Sequence, residues 1–122
     1  MTIQQSIDRA DEIKPNAIPS TTKTAWLASL DGRIAANIFL MSVPDIRKFG
    51  YAYPKDADVE LLVYPPHDEL YPLYLAAKID EANEEYDKYA NSSAIYNAAY
   101  TDFARWFATV YAPAQGYDRR RW

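Results

Sequence analysis

Apolar residues recur at intervals of three and four along much of this chain, and that spacing limits the possible folds more than any other feature of the sequence. Two such runs are Leu27, Leu30, Ile34, Ile38 and Met41, and Tyr96, Ala99, Phe103, Trp106 and Val110. Steps of this length place side chains on one face of an α-helix, whereas a half-buried strand would have apolar residues at every second position. The chain is therefore predicted to be mainly α-helical.

The helix boundaries follow from proline and from residues that cap helices. Pro15 ends a first helix, and Asn91, followed by two serines, is a typical N-cap between the last two helices. The four predicted helices span residues 2–14, about 20–41, 67–89 and about 91–111. Very few residues separate the last two helices, so we expect them to lie antiparallel. The prediction is a single four-helix domain over residues 1–111, followed by an extended C-terminal tail over residues 112–122.

Residues 42–66 form a long loop between the second and third predicted helices, and it contains four prolines and Gly50. Patches of β-favouring residues at 49–53 and 59–64 flank a turn, so the loop is a candidate β-hairpin. Loops of this length are uncommon in a small domain and are usually functional or mobile.

The scarcity of certain residue types excludes several kinds of chemistry. The chain of 122 residues has no cysteine, one histidine (His67) and three glycines. Disulfides, thiolate zinc sites, iron–sulfur clusters and cysteine nucleophiles are excluded, and a histidine-rich metal cage or a catalytic triad is disfavoured. We therefore predict a protein that is not an enzyme and holds no metal or cofactor. Its apolar runs are short and a secretory signal pattern is absent, so we expect no membrane partner.

Charge is distributed unevenly along the chain, whose net charge is −4. Ten acidic residues fall within residues 56–87 against a single basic residue, Lys78. The acids of the third helix are expected to form a solvated face, and an acidic body repels phosphate, so the body is not expected to bind nucleic acid. These residues fit a small acidic helical interaction module of the DNA-mimic or antitoxin type.

Three segments of the chain resemble a known family. They are TIQQSIDRADEIKPNAI at residues 2–18, KTAWLASLDGRI at residues 23–34, and HDELYPLYLAAKIDEANEEYDKYANSSAIYNAAYTDFARWF at residues 67–107. In their order and spacing they resemble the small head–tail connector proteins (adaptor or head-completion proteins) of tailed bacteriophages and prophages. His67 departs from the tyrosine that is more usual in that family, and Pro72 interrupts the start of the third helix.

The resemblance implies a structural virion protein at the head–tail junction, assembled in the host cytoplasm. Connectors of this kind form a homo-oligomeric ring, commonly of twelve subunits, below the portal protein, and the next neck or tail component attaches to the ring. Double-stranded genomic DNA passes through the central channel without sequence-specific binding.

The resemblance also implies roles for three groups of residues. Portal binding is expected of the tail residues Tyr117, Arg119, Arg120, Arg121 and Trp122. Subunit contacts within the ring are expected of Tyr86, Tyr89, Tyr96, Tyr100 and Trp106. A surface that faces the channel or the tail is expected of the loop residues Tyr51, Tyr53, Lys55, Asp56 and Asp58.

Overall fold

The fold consists of helices joined by short turns and one long loop. The computed structural model describes the backbone of residues 1–114 and the side chains of residues 1–110. Five α-helices lie in this range: α1 (Ile3–Ile13), α2 (Ser20–Asn37), α3 (Val43–Ile46), α4 (Leu70–Ala82) and α5 (Tyr86–Ala114). Two single-turn 3₁₀ helices span Arg47–Phe49 and His67–Glu69. The prediction of a mainly α-helical chain is confirmed, whereas the helix count and several boundaries differ from those predicted.

α4 is the central helix of the core. Nine of its thirteen residues are buried, so its neighbours cover it on most sides, as expected for a helix that is apolar nearly all round. The predicted apolar faces of the other helices pack around it. Their buried members are Ile3, Ile7 and Ala10 of α1, Leu27, Leu30 and Ile34 of α2, and Phe103 of α5.

Ser6 is a buried polar side chain that the fold leaves without a hydrogen bond. It is fully buried on the apolar face of α1, and among the described residues its hydroxyl has no partner. A buried unpaired hydroxyl costs about 1–3 kcal/mol. Ser6→Ala is therefore expected to raise the free energy of unfolding, measured by urea denaturation, by about 1 kcal/mol more than Ser29→Ala, which makes the same change on the exposed face of α2. Equal effects of the two substitutions would contradict the unpaired hydroxyl.

The candidate β-hairpin in residues 42–66 does not form, because the part of the chain that the structure describes contains no strand. The second half of the loop lies against the start of α1 instead. The N–H groups of Ile3 and Gln4 donate to the carbonyls of Val59 (3.1 Å) and Ala57 (2.9 Å). The first N–H groups of a helix have no acceptor within the helix, and the loop supplies those acceptors. The backbone of the second patch therefore forms hydrogen bonds with the start of α1 and not with the first patch.

The last two long helices meet at residues 83–85, not at Asn91 as the sequence predicts. Glu84 has a positive φ of 58°, a conformation that ends α4. Ser92 lies inside α5, where its hydroxyl donates to Asp80 Oδ2 (2.8 Å) and to the carbonyl four residues earlier (3.0 Å). A serine that bonds back to the preceding turn remains within a helix. The Asn-Ser-Ser sequence is therefore not a helix start.

The C-terminal ends of α2 and α5 also differ from those predicted. α2 ends at Asn37, short of residue 41, and α5 continues to Ala114, past the predicted end at residue 111. At 1.5 Å per residue, α4 is about 20 Å long and α5 about 43 Å long. α5 is therefore much longer than its central neighbour, and Trp106 and Val110 on its predicted apolar face remain partly exposed. Among the described residues, no helix combines the length and apolar character that a membrane span requires.

Candidate protein interaction site

Exposed apolar side chains lie next along the chain to a ring contact between the turn before α3 and the C-terminal half of α5. Leu40 is 74% exposed, Val43 62% and Val110 44%; these three residues are named the apolar end. The rings of Phe39 and Phe107 stack with their centroids 4.7 Å apart, and this contact brings the turn next to α5. A group of exposed apolar residues on a charged protein is typical of a protein contact site.

The backbone of Leu40 has a conformation that rarely suits leucine. Its φ is 55°, in the left-handed region, which costs a residue with a Cβ atom about 1–2 kcal/mol. Glycine is the usual residue in this conformation just after a helix. The leucine side chain points away from the core, so core packing does not account for it. A strained backbone with an exposed apolar side chain points to a contact outside the chain.

Trp106 packs against His67 close to the apolar end. The ring centroid of His67 lies 4.9 Å from that of Trp106 and 5.8 Å from that of Phe103. The His67 Nδ1 atom lies 3.8 Å from Asp102 Oδ2, and the histidine side chain is only 14% exposed. His67 thus packs at the edge of the core, and Trp106 covers one side of it while remaining 42% exposed.

The five residues predicted for subunit contacts are spread along one long helix, α5. Tyr86, the first residue of α5, is 65% exposed, whereas Trp106 lies twenty residues further along the same helix, about 30 Å away. Between them, the ring centroids of Tyr96 and Tyr100 are 6.0 Å apart, and burial raises the pKa of Tyr96. Tyr89 is half-buried. The structure therefore brings Tyr96 and Tyr100 together, places Tyr86 one helical turn from Tyr89, and leaves Trp106 nearer the C-terminal end of α5.

Two of the five predicted loop residues point into the domain. Tyr51 and Tyr53 are half-buried. The Tyr51 hydroxyl donates to Asp31 Oδ2 (2.6 Å), and the Tyr53 hydroxyl donates to Gln4 Oε1 (2.8 Å). Both tyrosines therefore hold the loop against the helices.

The other three predicted loop residues lie at the turn between the two loop patches. Asp56 Oδ2 accepts a hydrogen bond from the Ala52 N–H (2.8 Å), so this carboxylate stabilises the turn. Lys55 and Asp58 are exposed. Of the five loop residues, these two present the most accessible charged groups to a partner.

Asp31 is fully buried within α2 and accepts three hydrogen bonds, an arrangement that was not predicted from the sequence. Its Oδ1 atom accepts from the Tyr71 hydroxyl (2.6 Å). Its Oδ2 atom accepts from the Tyr51 hydroxyl (2.6 Å) and from the Leu62 N–H (3.1 Å). The Tyr71 hydroxyl in turn accepts from the Val63 N–H (2.8 Å). These bonds, named the Asp31 cluster, fasten the loop to α2 and α4.

The environment of the Asp31 cluster shifts the pKa of its members. Burial raises the pKa of Asp31, and the hydrogen bonds from both tyrosines and from Leu62 oppose that shift. Burial and the charge of Asp31 raise the pKa of Tyr51 and of Tyr71, so both hydroxyls keep their protons and act as donors. The signal in the sequence is an aspartate within the apolar pattern of α2, where a charged group needs partners.

The acid-rich segment does not form one solvated surface. Asp80, predicted on the solvated face of the third helix, is instead 2% exposed. Glu81 pairs with Lys78 (3.2 Å), and Glu85 pairs with Lys88. Among the described residues, no group of three or more His, Cys, Asp and Glu side chains is placed to hold a metal ion. The negative charge is therefore divided among local ion pairs, buried carboxylates such as Asp80, and single exposed carboxylates.

The residues predicted to bind the portal lie outside the described part of the chain. They are Tyr117, Arg119, Arg120, Arg121 and Trp122. Comparison of the chain with protein-family models, with curated proteins and with solved structures gave no match. The function therefore has to follow from the chain's own residues and contacts.

Proposed function

We propose that this protein is a head–tail connector of a tailed bacteriophage or prophage. It is a non-enzymatic virion protein that forms a ring below the portal protein, to which the next neck or tail component attaches. Genomic double-stranded DNA passes through the ring. Support comes from the resemblance of residues 2–18, 23–34 and 67–107 to that family and from the mainly helical fold.

The apolar end is the observation that carries the proposal. Leu40, Val43 and Val110 are exposed where a folded monomer would gain by burying them. The end of α5 at Ala114 also leads into the segment with three arginines and Trp122. Arginine and tryptophan are enriched in the central contacts of protein interfaces. A partner that binds both the apolar end and this segment has two contacts with the chain, and we assign them to the portal.

The remaining predicted residues fit other contacts of a ring. Tyr86 is exposed at the opposite end of α5 and suits a contact with a neighbouring subunit. Lys55 and Asp58 are exposed on the loop, where they suit a surface that faces the channel or contacts the next component. Tyr51 and Tyr53 support that loop from within through their hydroxyl groups.

Co-sedimentation of the purified protein with portal rings encoded in the same genome tests the proposal. We expect one copy bound per portal subunit, and cryo-electron microscopy of the complex should place the apolar end against the portal. Failure to form a complex at micromolar concentrations overturns the connector proposal. If the protein does not bind portal rings but binds a basic protein stoichiometrically, the result supports the acidic DNA-mimic alternative instead.

Substitutions at the apolar end separate binding from folding. Leu40→Gly relaxes the positive φ while removing the exposed side chain, so it should keep or raise stability and weaken portal binding by at least about tenfold. Val110→Asp should weaken binding similarly. Ile13→Asp is the matched control because Ile13 is 53% exposed at the end of α1, and it should bind like the unchanged protein. Normal binding by both test variants would show that the apolar end is not the portal contact.

A further inference from the structure

An open groove of about 270 Å³ lies between α2 and α5. It is lined by Leu30, Arg33, Asn37, Tyr96, Asn97 and Tyr100, and is named the Arg33 groove. Leu30 is buried, whereas the polar lining residues are exposed or half-buried. The lining contains a guanidinium, two amides and two phenols but no carboxylate, so it offers many hydrogen-bond donors and a positive charge.

The guanidinium of Arg33 is held in place beside the groove. Its Nη2 atom donates to the Tyr74 hydroxyl (2.7 Å), and its Cζ atom lies 5.6 Å from the centroid of the Tyr74 ring. Within the described residues Arg33 has no ion pair. An arginine carries five N–H donors, so most of its donors remain available to a ligand.

The side chains around Arg33 add further capacity for hydrogen bonding. In the described part of the structure, the amides of Asn37 and Asn97 and the hydroxyl of Tyr100 make no hydrogen bond with another protein group. A fixed guanidinium flanked by amides and a phenol suits a planar carboxylate, which accepts two parallel bonds from arginine. The groove therefore favours a carboxylate ligand.

We propose that the Arg33 groove binds a carboxylate of a second copy of this chain, supplied by the turn between α4 and α5. That turn, named the acidic corner, comprises Glu84, Glu85, Tyr86 and Asp87. Glu84 and Asp87 are exposed and have no ion pair within the described residues. Tyr86 is 65% exposed and supplies an aromatic side chain beside the carboxylates. The charges of the groove and the corner are complementary.

The acidic corner of one molecule does not reach that molecule's own groove. Asp87 and Asn97 lie ten residues apart on the same continuous helix, about 15 Å along its axis. A rigid helix keeps this separation, so the contact joins two molecules. When the groove of each copy receives the acidic corner of the next copy in line, and the two copies do not exchange these patches reciprocally, the contact is heterologous, the kind that generates rings. In this respect the inference rests on the proposed connector function.

Concentration-dependent amide chemical shifts of the ¹⁵N-labelled protein test the contact up to about 1 mM. We expect shifts at both the groove and the acidic corner in the unchanged protein. Arg33→Glu should weaken self-association at least about tenfold, and so should the double variant Glu84→Arg/Asp87→Arg. Combining all three substitutions in one chain should restore it, because the charges are exchanged. Arg105→Glu is the matched control and should leave self-association unchanged, since this exposed arginine lies outside the groove.

The outcomes separate this contact from the connector function. Absence of concentration-dependent shifts, or shifts that Arg33→Glu leaves intact, overturns the contact. Groove shifts on adding a DNA duplex, without any on raising the protein concentration, assign the groove to phosphate and also overturn it. If Arg33→Glu both self-associates and decorates portal rings as the unchanged protein does, the connector function survives and the contact fails. If the variant with all three substitutions regains self-association but the protein does not bind portal rings, the contact survives and the connector function fails.

Discussion

Asp31→Ala is expected to lower the free energy of unfolding by about 3–5 kcal/mol. The substitution removes the acceptor of three hydrogen bonds, from the hydroxyls of Tyr51 and Tyr71 and from the Leu62 N–H. Each stranded buried donor costs about 1–3 kcal/mol. Tyr51 is only half-buried, so its hydroxyl can turn towards water. The expected loss of stability is therefore smaller than three times the largest cost of a stranded donor. Urea denaturation followed by circular dichroism measures the loss.

Two further variants make the Asp31 experiment specific. Asp45→Ala makes the same change at an exposed aspartate whose partners, Ser42 and Lys48, are also at the surface, and it should alter stability little. Tyr51→Phe removes one donor and leaves Asp31 in place, so we expect a loss of about 1–2 kcal/mol. This variant remains informative if Asp31→Ala does not fold. Equal losses at Asp31 and Asp45 would contradict the role of the cluster.

The raised pKa of Asp31 gives its contribution a definite pH dependence. The folded state binds the Asp31 proton more tightly than the unfolded state, whose pKa is near the ordinary 3.8. The contribution of Asp31 to the free energy of unfolding therefore falls as pH rises from about 3.8 through the raised pKa, and is constant above it. Asp31→Asn removes this dependence. Relative to the unchanged protein, Asp31→Asn should be less destabilised at pH 7 than at pH 4, and the reverse order would contradict the shift.

The helical faces could be predicted from the sequence because helical periodicity is a local property. Ile3, Ile7 and Ala10 face the core as their spacing indicates. The path of the long loop depends on distant groups, namely the first N–H groups of α1 and the carboxylate of Asp31. Those groups lie outside the loop, so no residue pattern within the loop indicates them. The two β-favouring patches therefore predict a hairpin that the rest of the domain prevents.

The candidate contact residues were only partly predictable for the same reason. Eleven tyrosines indicate a chain rich in contact-forming side chains, but the sequence does not say which are buried. Tyr71 is fully buried and donates a hydrogen bond to Asp31, whereas Tyr86 is 65% exposed. Similarly, the Arg33 groove combines side chains from α2 and α5 that lie about sixty residues apart in the chain. Only their packing brings them together.

Asp80→Ala is expected to lower the free energy of unfolding by about 2–4 kcal/mol. The carboxylate of Asp80 is almost fully buried, and its Oδ2 atom lies 2.9 Å from Lys14 Nζ and accepts a hydrogen bond from the Ser92 hydroxyl (2.8 Å). These contacts join the end of α1 to α4 and α5. Removing the carboxylate leaves the lysine ammonium, which is 28% exposed, without its counter-charge. Urea denaturation provides the measurement.

A double-mutant cycle shows whether Lys14 and Asp80 act as a pair. Lys14→Met should itself destabilise, because it leaves a buried carboxylate without its cation. The cycle compares Lys14→Met, Asp80→Leu and the double variant that carries both substitutions. The double variant should lose at least about 1 kcal/mol less free energy of unfolding than the sum of the two single losses, because no unpaired charge remains. Glu85→Ala, which breaks an exposed ion pair with Lys88 nearby, should alter stability little. Additive losses in the cycle would mean that the apolar face of α1, and not this ion pair, holds α1 against α4.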